Sequence, residues 1–259
     1  MKVSASIITL NAAAHLDRCL DSLDWCDEVV VLDQGSTDGT REICARHGAT
    51  VLDGEWRGFG PTKAACVLAC RNRWILSVDA DEVVDAALRD AIRALPDDPS
   101  QAAFRVDRRS RFLGRWIRHC GWTPDRLLRL FDRDRAGFDD APVHEAVHAR
   151  GPVGDLPGLL LHHTYDSLEQ YLAKLDRYST LGAEAAAAHG RRATPAGAVL
   201  RAHHTFVRTY WMRRGFLDGA HGLALCSLMA FQTLAKYLKI WHAGRRAGAG
   251  SDGNEATRP

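Results

Sequence analysis

The sequence predicts an α/β fold, a mostly parallel sheet flanked by helices and followed by a C-terminal helical extension. Three observations carry this. Strand-like and helix-like segments alternate with short connections over residues 3–95, the pattern of right-handed crossovers in a parallel sheet. Residues 28–33 (EVVVLD) and 74–79 (WILSVD) are continuous apolar runs closed by aspartate, as expected of strands covered on both faces. Charge then changes sign along the chain. Residues 1–188 hold 23 Lys and Arg against 29 Asp and Glu, whereas residues 189–250 hold 10 basic residues and only Asp218.

Each element follows from local chemistry. Residues 3–10 (VSASIITL) are β-prone and run into Asn11, a good helix cap, after which Leu16, Cys19, Leu20 and Leu23 recur at helical spacing. The apolar start is too short for a signal peptide and reads as a first strand. Residues 34–39 (QGSTDG) are turn chemistry, 40–47 a short helix stopped by Gly48, and 50–52 a third strand. Residues 62–70 read as helix, 74–79 as strand, and Val84, Leu88, Ile92 and Leu95 as a helical stripe halted by Pro96. Residues 103–150 mix Arg, Trp and Phe with short β-like pieces. Ser167 with Gln170 opens a helix over 167–188 as a capping box, and Leu168, Tyr171, Leu172, Leu175 and Tyr178 share one face. The expected organisation is one domain over 1–188, a linker at 189–198, a basic aromatic helical extension over 199–242, and a disordered tail over 243–259.

At 46% hydrophobic and 25% charged residues, the 259-residue chain has a globular composition that excludes collagenous, coiled-coil or wholly disordered classes. The seven cysteines follow neither a disulfide nor a zinc-knuckle spacing, and read as buried or free thiols of a reducing compartment.

Ligands of parallel sheets bind at the carboxyl ends of the strands, and Thr9, Asn11, Asp33 and Asp79 fall there. The sharpest local signal is Asp79-Ala80-Asp81-Glu82. Two carboxylates one residue apart, where a buried strand ends, can reach one hard divalent cation of the Mg²⁺ or Mn²⁺ kind together with substrate phosphates. The plainer alternative is that Asp81 and Glu82 complement the dipole of the next helix.

With Thr9-Leu10-Asn11 after the first strand and Asp33-Gln34-Gly35-Ser36-Thr37-Asp38-Gly39 after the second, the chain resembles glycosyltransferase family 2 proteins of the GT-A (Rossmann-like) fold. Within that family, RFLGRWIRHCGW (111–122), RLLRLFDR (126–133), APVHEAV (141–147), HHTYDSLEQYLAKLDRYS (162–179) and GFLDGAHGL (215–223) resemble the lipopolysaccharide inner-core β-1,4-glucosyltransferases. The resemblance implies that Thr9, Asn11 and Asp33 contact base and ribose, and that Asp79 and Asp81 hold ribose, diphosphate and a divalent metal. It places Lys63, in Gly60-Pro61-Thr62-Lys63, near the nucleotide. It also implies inversion by direct displacement with one general base, assigned to Glu145, with Asp140 and then Asp139 behind it. His162 and His163 read as one packed and one exposed histidine, His163 being the candidate for the site. The arginines of 105–133 suit a phosphorylated sugar acceptor.

The implied reaction moves a hexose, glucose from UDP-glucose, onto a lipid-anchored envelope oligosaccharide at the cytoplasmic face of the bacterial inner membrane. Alternatives on the same fold are a non-catalytic sugar-nucleotide-binding protein and a nucleotidyltransferase. The latter normally opens with a glycine-rich basic loop, which Thr9-Leu10-Asn11-Ala12-Ala13 lacks. Residues 201–246, with eight basic residues against one acid and a set of aromatics, fit peripheral docking on an anionic membrane surface. The apolar stretch Leu223–Phe231 taken by itself is too short to span a bilayer. Pairing with a second copy of the chain as a homodimer is the alternative, and no nucleic-acid motif is present.

Overall fold

In the computed structural model, which describes residues 1–139 and 146–252, the strand order is β3-β2-β1-β4-β8-β6-β11-β5. The first half is parallel: β1 (Val3–Thr9) lies between β2 (Glu28–Asp33) and β4 (Trp74–Ser77), with β3 (Thr50–Asp53) outside β2. Helices α1 (Ala13–Asp21), α2 (Thr40–Arg46) and α3 (Phe59–Ala69) make the crossovers. The chain goes one way from β1 to β2 and β3, then returns past β1 to β4. The switch point, where a ligand crevice opens, therefore lies at the carboxyl ends of β1 and β4.

The second half is antiparallel. β8 (Arg126–Asp132) pairs with β4 and with β6 (Ala103–Phe112), and β11 (Val153–Tyr165) pairs with β5 (Glu82–Val84). Val84 thus belongs to a strand rather than to the expected helical stripe. Helix α4 (Ala86–Arg93) starts after Asp85, whose Oδ1 accepts from the Leu88 N–H at 2.8 Å. β9 (Ala136–Phe138) and β10 (Val147–Ala149) form a separate hairpin.

The core explains why the apolar runs had no alternation. Val3, Ala5, Ile7, Val31, Leu76 and Leu130 pack with Leu16 and Leu20 of α1 and Leu88 and Ile92 of α4 on one face. Val30, Leu32, Ile75 and Phe131 pack with Cys66 and Val67 of α3 on the other. All seven cysteines are free thiols, and all but Cys26 are buried.

The chain divides into two compact units, Met1–Ser110 with Pro124–Thr164, and Arg111–Thr123 with Tyr165–Pro259. The second holds β7 (Arg115–Trp116), α5 (Leu168–Ala188), α6 (Pro195–Val207) and α7 (Gly219–Asp252), with a π-helical turn Arg208–Met212 and a 3-10 turn Gly215–Asp218 between α6 and α7. The N–H of Gln170 donates to Ser167 Oγ at 3.2 Å, while Gln170 Oε1 accepts from Asp166, so the capping box is displaced by one residue. Leu225 and Cys226 of α7 share a core with Phe112, Ile117, Tyr171 and Leu175. Buried Asp218 accepts from the N–H groups of Arg118 (3.3 Å) and His119 (2.8 Å), which ties GFLDGAHGL to RFLGRWIRHCGW. The segment read as a linker at 189–198 contains the start of α6, whose cap Thr194 accepts from Gly197 N at 3.1 Å. α7 continues to Asp252, into the segment expected to be a disordered tail.

Candidate active site

At the end of β2, Asp33 is buried and fully engaged. Its carboxylate accepts from Thr9 Oγ1 (3.0 Å), Ser36 Oγ (2.5 Å) and Ser36 N (3.1 Å), with Arg41 Nη1 at 3.3 Å. Burial works against ionisation, but the hydrogen bonds from Ser36 and Thr9 and the Arg41 charge hold the carboxyl below its usual range. Asn11 does not cap α1. It sits in the left-handed region (φ 51°), and its side-chain oxygen accepts from Thr37 N at 2.9 Å. The first N–H groups of α1 are capped from outside instead, Ala12 by Thr40 Oγ1 and Ala13 by Asp38 Oδ2. Thr9, Asn11 and Asp33 therefore form one crevice rim, braced by Ser36, Thr37 and Asp38 of the 34–39 turn.

Across the switch point lies a charged network. Lys63, in the first turns of α3, is 5% exposed, not a solvated helix-start lysine. Its Nζ meets Asp79 Oδ1 at 2.8 Å. Arg129 of β8 donates to Asp79 Oδ2 and to Glu82 Oε1, both at 2.8 Å. Arg108 of β6 reaches Glu82 Oε1 at 3.3 Å and Asp125 at 2.8 Å. Glu82 is completely buried, and its Oε2 accepts from the Asp79 N–H at 2.9 Å, which fixes the turn of the Asp-x-Asp segment. Burial alone would raise the Asp79 carboxyl, but the Arg129 and Lys63 cations beside it override that and hold it well below the ordinary range. The Glu82 carboxyl is pushed up, first by burial and then by the Asp79 charge.

Asp81 is turned differently. Its Oδ2 lies 3.2 Å from His162 Nε2, and its carbonyl accepts from His163 N. The antiparallel register His162↔Glu82 between β11 and β5 makes this approach. His162 Nδ1 is within hydrogen-bonding distance of Ser110 Oγ (3.2 Å) and Thr164 Oγ1 (3.0 Å). Hydroxyls donate and accept, so this support serves either tautomer. The histidine brought to the Asp-x-Asp is thus His162, not His163, which meets Arg18 and stacks on His15.

Lys63, Asp79, Arg108, Arg126, Arg129 and Phe138 line a cavity of about 460 Å³. Lys63, Arg108 and Arg129 meet three carboxylates, Asp79, Glu82 and Asp125, so the cations beside the cavity are held in place by matching charge. Of the candidate bases, Asp140 and Glu145 lie outside the described residues. Asp139 closes the β9–β10 hairpin, accepting from Ala146 N at 3.3 Å and lying 3.0 Å from His148 Nε2. Among the described residues, no group of three or more His, Cys, Asp or Glu is arranged to hold a metal. Asp81 with His162 supplies two donors, a set that suits Mg²⁺ or Mn²⁺ only with substrate phosphates and water completing it. Arg129, Glu82 and His162 were read in the sequence only as a member of an arginine cluster, a helix-dipole carboxylate and one of a histidine pair; a buried arginine and a buried glutamate carry no local periodicity signal, and only strand pairing brings them to the site.

A switch-point crevice, an Asp-x-Asp turn and a cation-lined cavity beside it define a GT-A type transferase architecture. Residues 4–149 match the family described as Glycosyl transferase family 2. The chain is 31% identical over 256 residues to the lipopolysaccharide core biosynthesis glycosyltransferase LpsC of Rhizobium meliloti (strain 1021), covering 91% of this chain and 92% of that protein. It is 28% identical over 260 residues to an uncharacterized glycosyltransferase of Rickettsia bellii (strain RML369-C), covering 92% and 86%. Among solved structures, S. aureus TarS 1-349 in complex with UDP aligns over 95% of this chain and 92% of that one, with 13% identity and a TM-score of 0.48. The protein belongs to glycosyltransferase family 2, in a branch resembling lipopolysaccharide core glycosyltransferases.

Proposed function

We propose that the protein is an inverting hexosyltransferase that moves glucose from UDP-glucose to a lipid-anchored glycan of the lipopolysaccharide core type, at the cytoplasmic face of the inner membrane. The observation that carries this reading is the Lys63–Asp79–Arg129–Glu82 network beside Asp81 and His162, at the ends of β1 and β4. Likeness to LpsC over nine-tenths of the chain supports the acceptor class.

Roles follow from surroundings. Thr9, Asn11 and Asp33 hold the nucleoside at the rim. Asp79 has a cation on each oxygen, so it orients Lys63 and Arg129 toward the diphosphate rather than serving as the main metal ligand. Asp81 and His162 are the residues that would hold a divalent cation. When bound, the cation offsets charge on the departing nucleoside diphosphate. In the displacement, the acceptor oxygen bonds the anomeric carbon as the bond from that carbon to the diphosphate oxygen breaks, which inverts the centre. The hydroxyl proton passes to a general base, assigned to Glu145 with Asp140 as the alternative. Lys63 and Arg129 stabilise the leaving group with charge already in place before the reaction. Arg108 and Arg126, which line the same cavity, suit a phosphorylated or acidic acceptor sugar.

Membrane association belongs to the same reading. The stretch Gly215–Arg245 is long and apolar enough to cross a bilayer by length and composition, which extends the short Leu223–Phe231 run seen in the sequence. Lys236 and Lys239 interrupt it, and Lys239 is paired with Asp176 of α5 at 2.7 Å. These favour α7 lying against its helical neighbours, with peripheral docking.

The test is a donor panel with purified protein and a delipidated core acceptor, read by release of the nucleoside diphosphate and by the anomeric configuration of the product. Fastest release from UDP-glucose with β-linked product is expected. Equal turnover of all nucleotide sugars, or retained configuration, overturns the reading.

A further inference from the structure

Two adjoining cavities in the helical unit, of about 500 and 210 Å³, have no assigned role. Arg192 lines both, Arg191 and Arg245 line the larger, and Arg201 lines the smaller. No acidic residue lines either cavity, and no ion pair joins these four arginines to a carboxylate among the described residues. Lys239 on the same helix as Arg245 is, by contrast, neutralised by Asp176. Like charges so gathered repel one another, and a bound anion removes that repulsion.

The cluster is built on a short fixed connection. Gly190 (φ 67°) closes α5, its N–H donating to Ala187 O at 2.9 Å and Arg191 N to Ala186 O at 3.0 Å. Thr194 then caps α6, with Pro195 in its first turn. The Arg191-Arg192 pair is therefore held between two capped helices, beside the positive end of α6. Aromatic faces position the other two: the Arg201 guanidinium lies 4.8 Å from the Tyr237 ring centre and that of Arg245 5.4 Å from the Trp241 ring centre. A guanidinium stacked this way keeps its N–H edge for a planar or tetrahedral oxyanion.

We propose that these cavities bind the phosphate group of an anionic lipid headgroup. Phosphate matches several converging guanidinium forks. Leu200, next to Arg201 on α6, is 69% exposed and gives an acyl chain an apolar contact at the edge of the cluster. That contact favours a lipid over a free phosphate ion. The proposal rests on the peripheral-docking part of the proposed function and not on its chemistry, so its failure leaves the glycosyl transfer, read by turnover, untouched.

The experiment titrates the full chain with water-soluble short-chain phosphatidylglycerol, short-chain phosphatidylcholine and inorganic phosphate, with UDP-sugar turnover measured in parallel. Phosphatidylglycerol should bind at least about tenfold more tightly than either other probe. Arg192→Gln/Arg245→Gln, and separately Arg191→Gln/Arg201→Gln, should weaken that binding about tenfold or more. Turnover on a soluble acceptor should stay unchanged. Arg89→Gln/Arg93→Gln on α4 should leave lipid binding at the wild-type level. Wild-type affinity in both cavity variants, equal binding of phosphatidylcholine, or an equal loss in the α4 variant overturns the site. Inorganic phosphate binding as tightly as phosphatidylglycerol overturns the lipid as its source.

Discussion

At the scale of single residues, the two aspartates of Asp79-Ala80-Asp81 have different surroundings and should fail differently. Asp81 faces His162, so Asp81→Asn and His162→Gln should both weaken activation by Mn²⁺. Loss of a ligand or of its support should raise the metal concentration for half-maximal rate about 10–100-fold. Asp79→Asn instead releases Lys63 and Arg129 from their carboxylate, and should weaken UDP binding more than it shifts the metal dependence. Metal titrations of turnover on each variant, with UDP affinity measured alongside, separate the two. An unchanged metal dependence in His162→Gln would remove that histidine from the site. Full activity of the wild type in EDTA would remove the metal itself. For the base, Glu145→Gln should lower turnover about 10²–10⁴-fold with donor affinity nearly unchanged. If turnover falls less than about threefold, Asp140→Asn is the next variant to measure.

Elements set what those residues can do. Strand ends were legible because β2 and β4 are buried on both faces and the chain leaves the core at an aspartate, Asp33 closing β2 and Asp79 following Ser77 of β4 by two residues. Asp33, Asp79 and Asp81 could be found from that pattern. Glu82, Arg129 and His162 could not, since β8 reaches β4, and β11 reaches β5, only through antiparallel pairings between segments about 50–80 residues apart. The choice between His162 and His163 is a parity question that the β11–β5 register decides. The capping role expected of Asn11 went to Thr40 and Asp38 because the 34–39 turn folds back over the start of α1. One element-scale ion cluster makes a stability prediction. Asp132, buried at the end of β8, accepts from Arg73 Nη2 and Arg135 Nε, each at 2.7 Å. Burial opposes its charge, yet the two arginines hold its carboxyl below the ordinary value of 3.8. A folded-state value below the unfolded one means that the stabilisation is present above about pH 4 and is lost as pH falls through the lower, folded value. Asp132→Asn should cost about 2 kcal/mol at pH 7, by weakening the hydrogen bonds from two partly exposed arginines to a buried carboxylate, and should flatten the acid limb of stability against pH. Urea midpoints at pH 7 and pH 3 check both; an equal loss at the two values would show that Asp132 acts through packing alone. Gly158 offers an independent check on β11. It has φ 94°, and a Cβ there would sit 2.2 Å from Leu88 N, so Gly158→Ala should destabilise by about 2–4 kcal/mol in the same urea assay.

For the whole molecule, the acidic front and basic back of the sequence correspond to two units with different surfaces. Of the exposed large apolar side chains, most lie in the helical unit, where the turn between α6 and α7 presents Trp211 (59% exposed), Met212 (72%), Phe216 and Leu217 beside exposed Arg208, Arg213 and Arg214. Apolar burial in a membrane interface resists salt, whereas each arginine near an anionic surface contributes about 1 kcal/mol that salt screens. The two contributions can therefore be separated on one protein. Wild-type chain should sediment with phosphatidylglycerol vesicles and be partly released at high salt. Trp211→Ser/Phe216→Ser should remove the fraction that high salt leaves bound, because Trp211 and Phe216 pack mainly on each other and on Tyr210 rather than in the core of Phe112, Leu175 and Leu225. Arg213→Gln/Arg214→Gln should lower low-salt binding and leave the salt-resistant fraction in place. Point changes are the right instrument here, since cutting the chain before α7 would strip Leu225 and Cys226 from a buried core and confuse docking with unfolding. Alkaline carbonate washing then decides how α7 meets the bilayer. Release of the wild type into the wash is expected of a peripheral protein, and retention in the pellet would mean that the Gly215–Arg245 stretch spans the membrane.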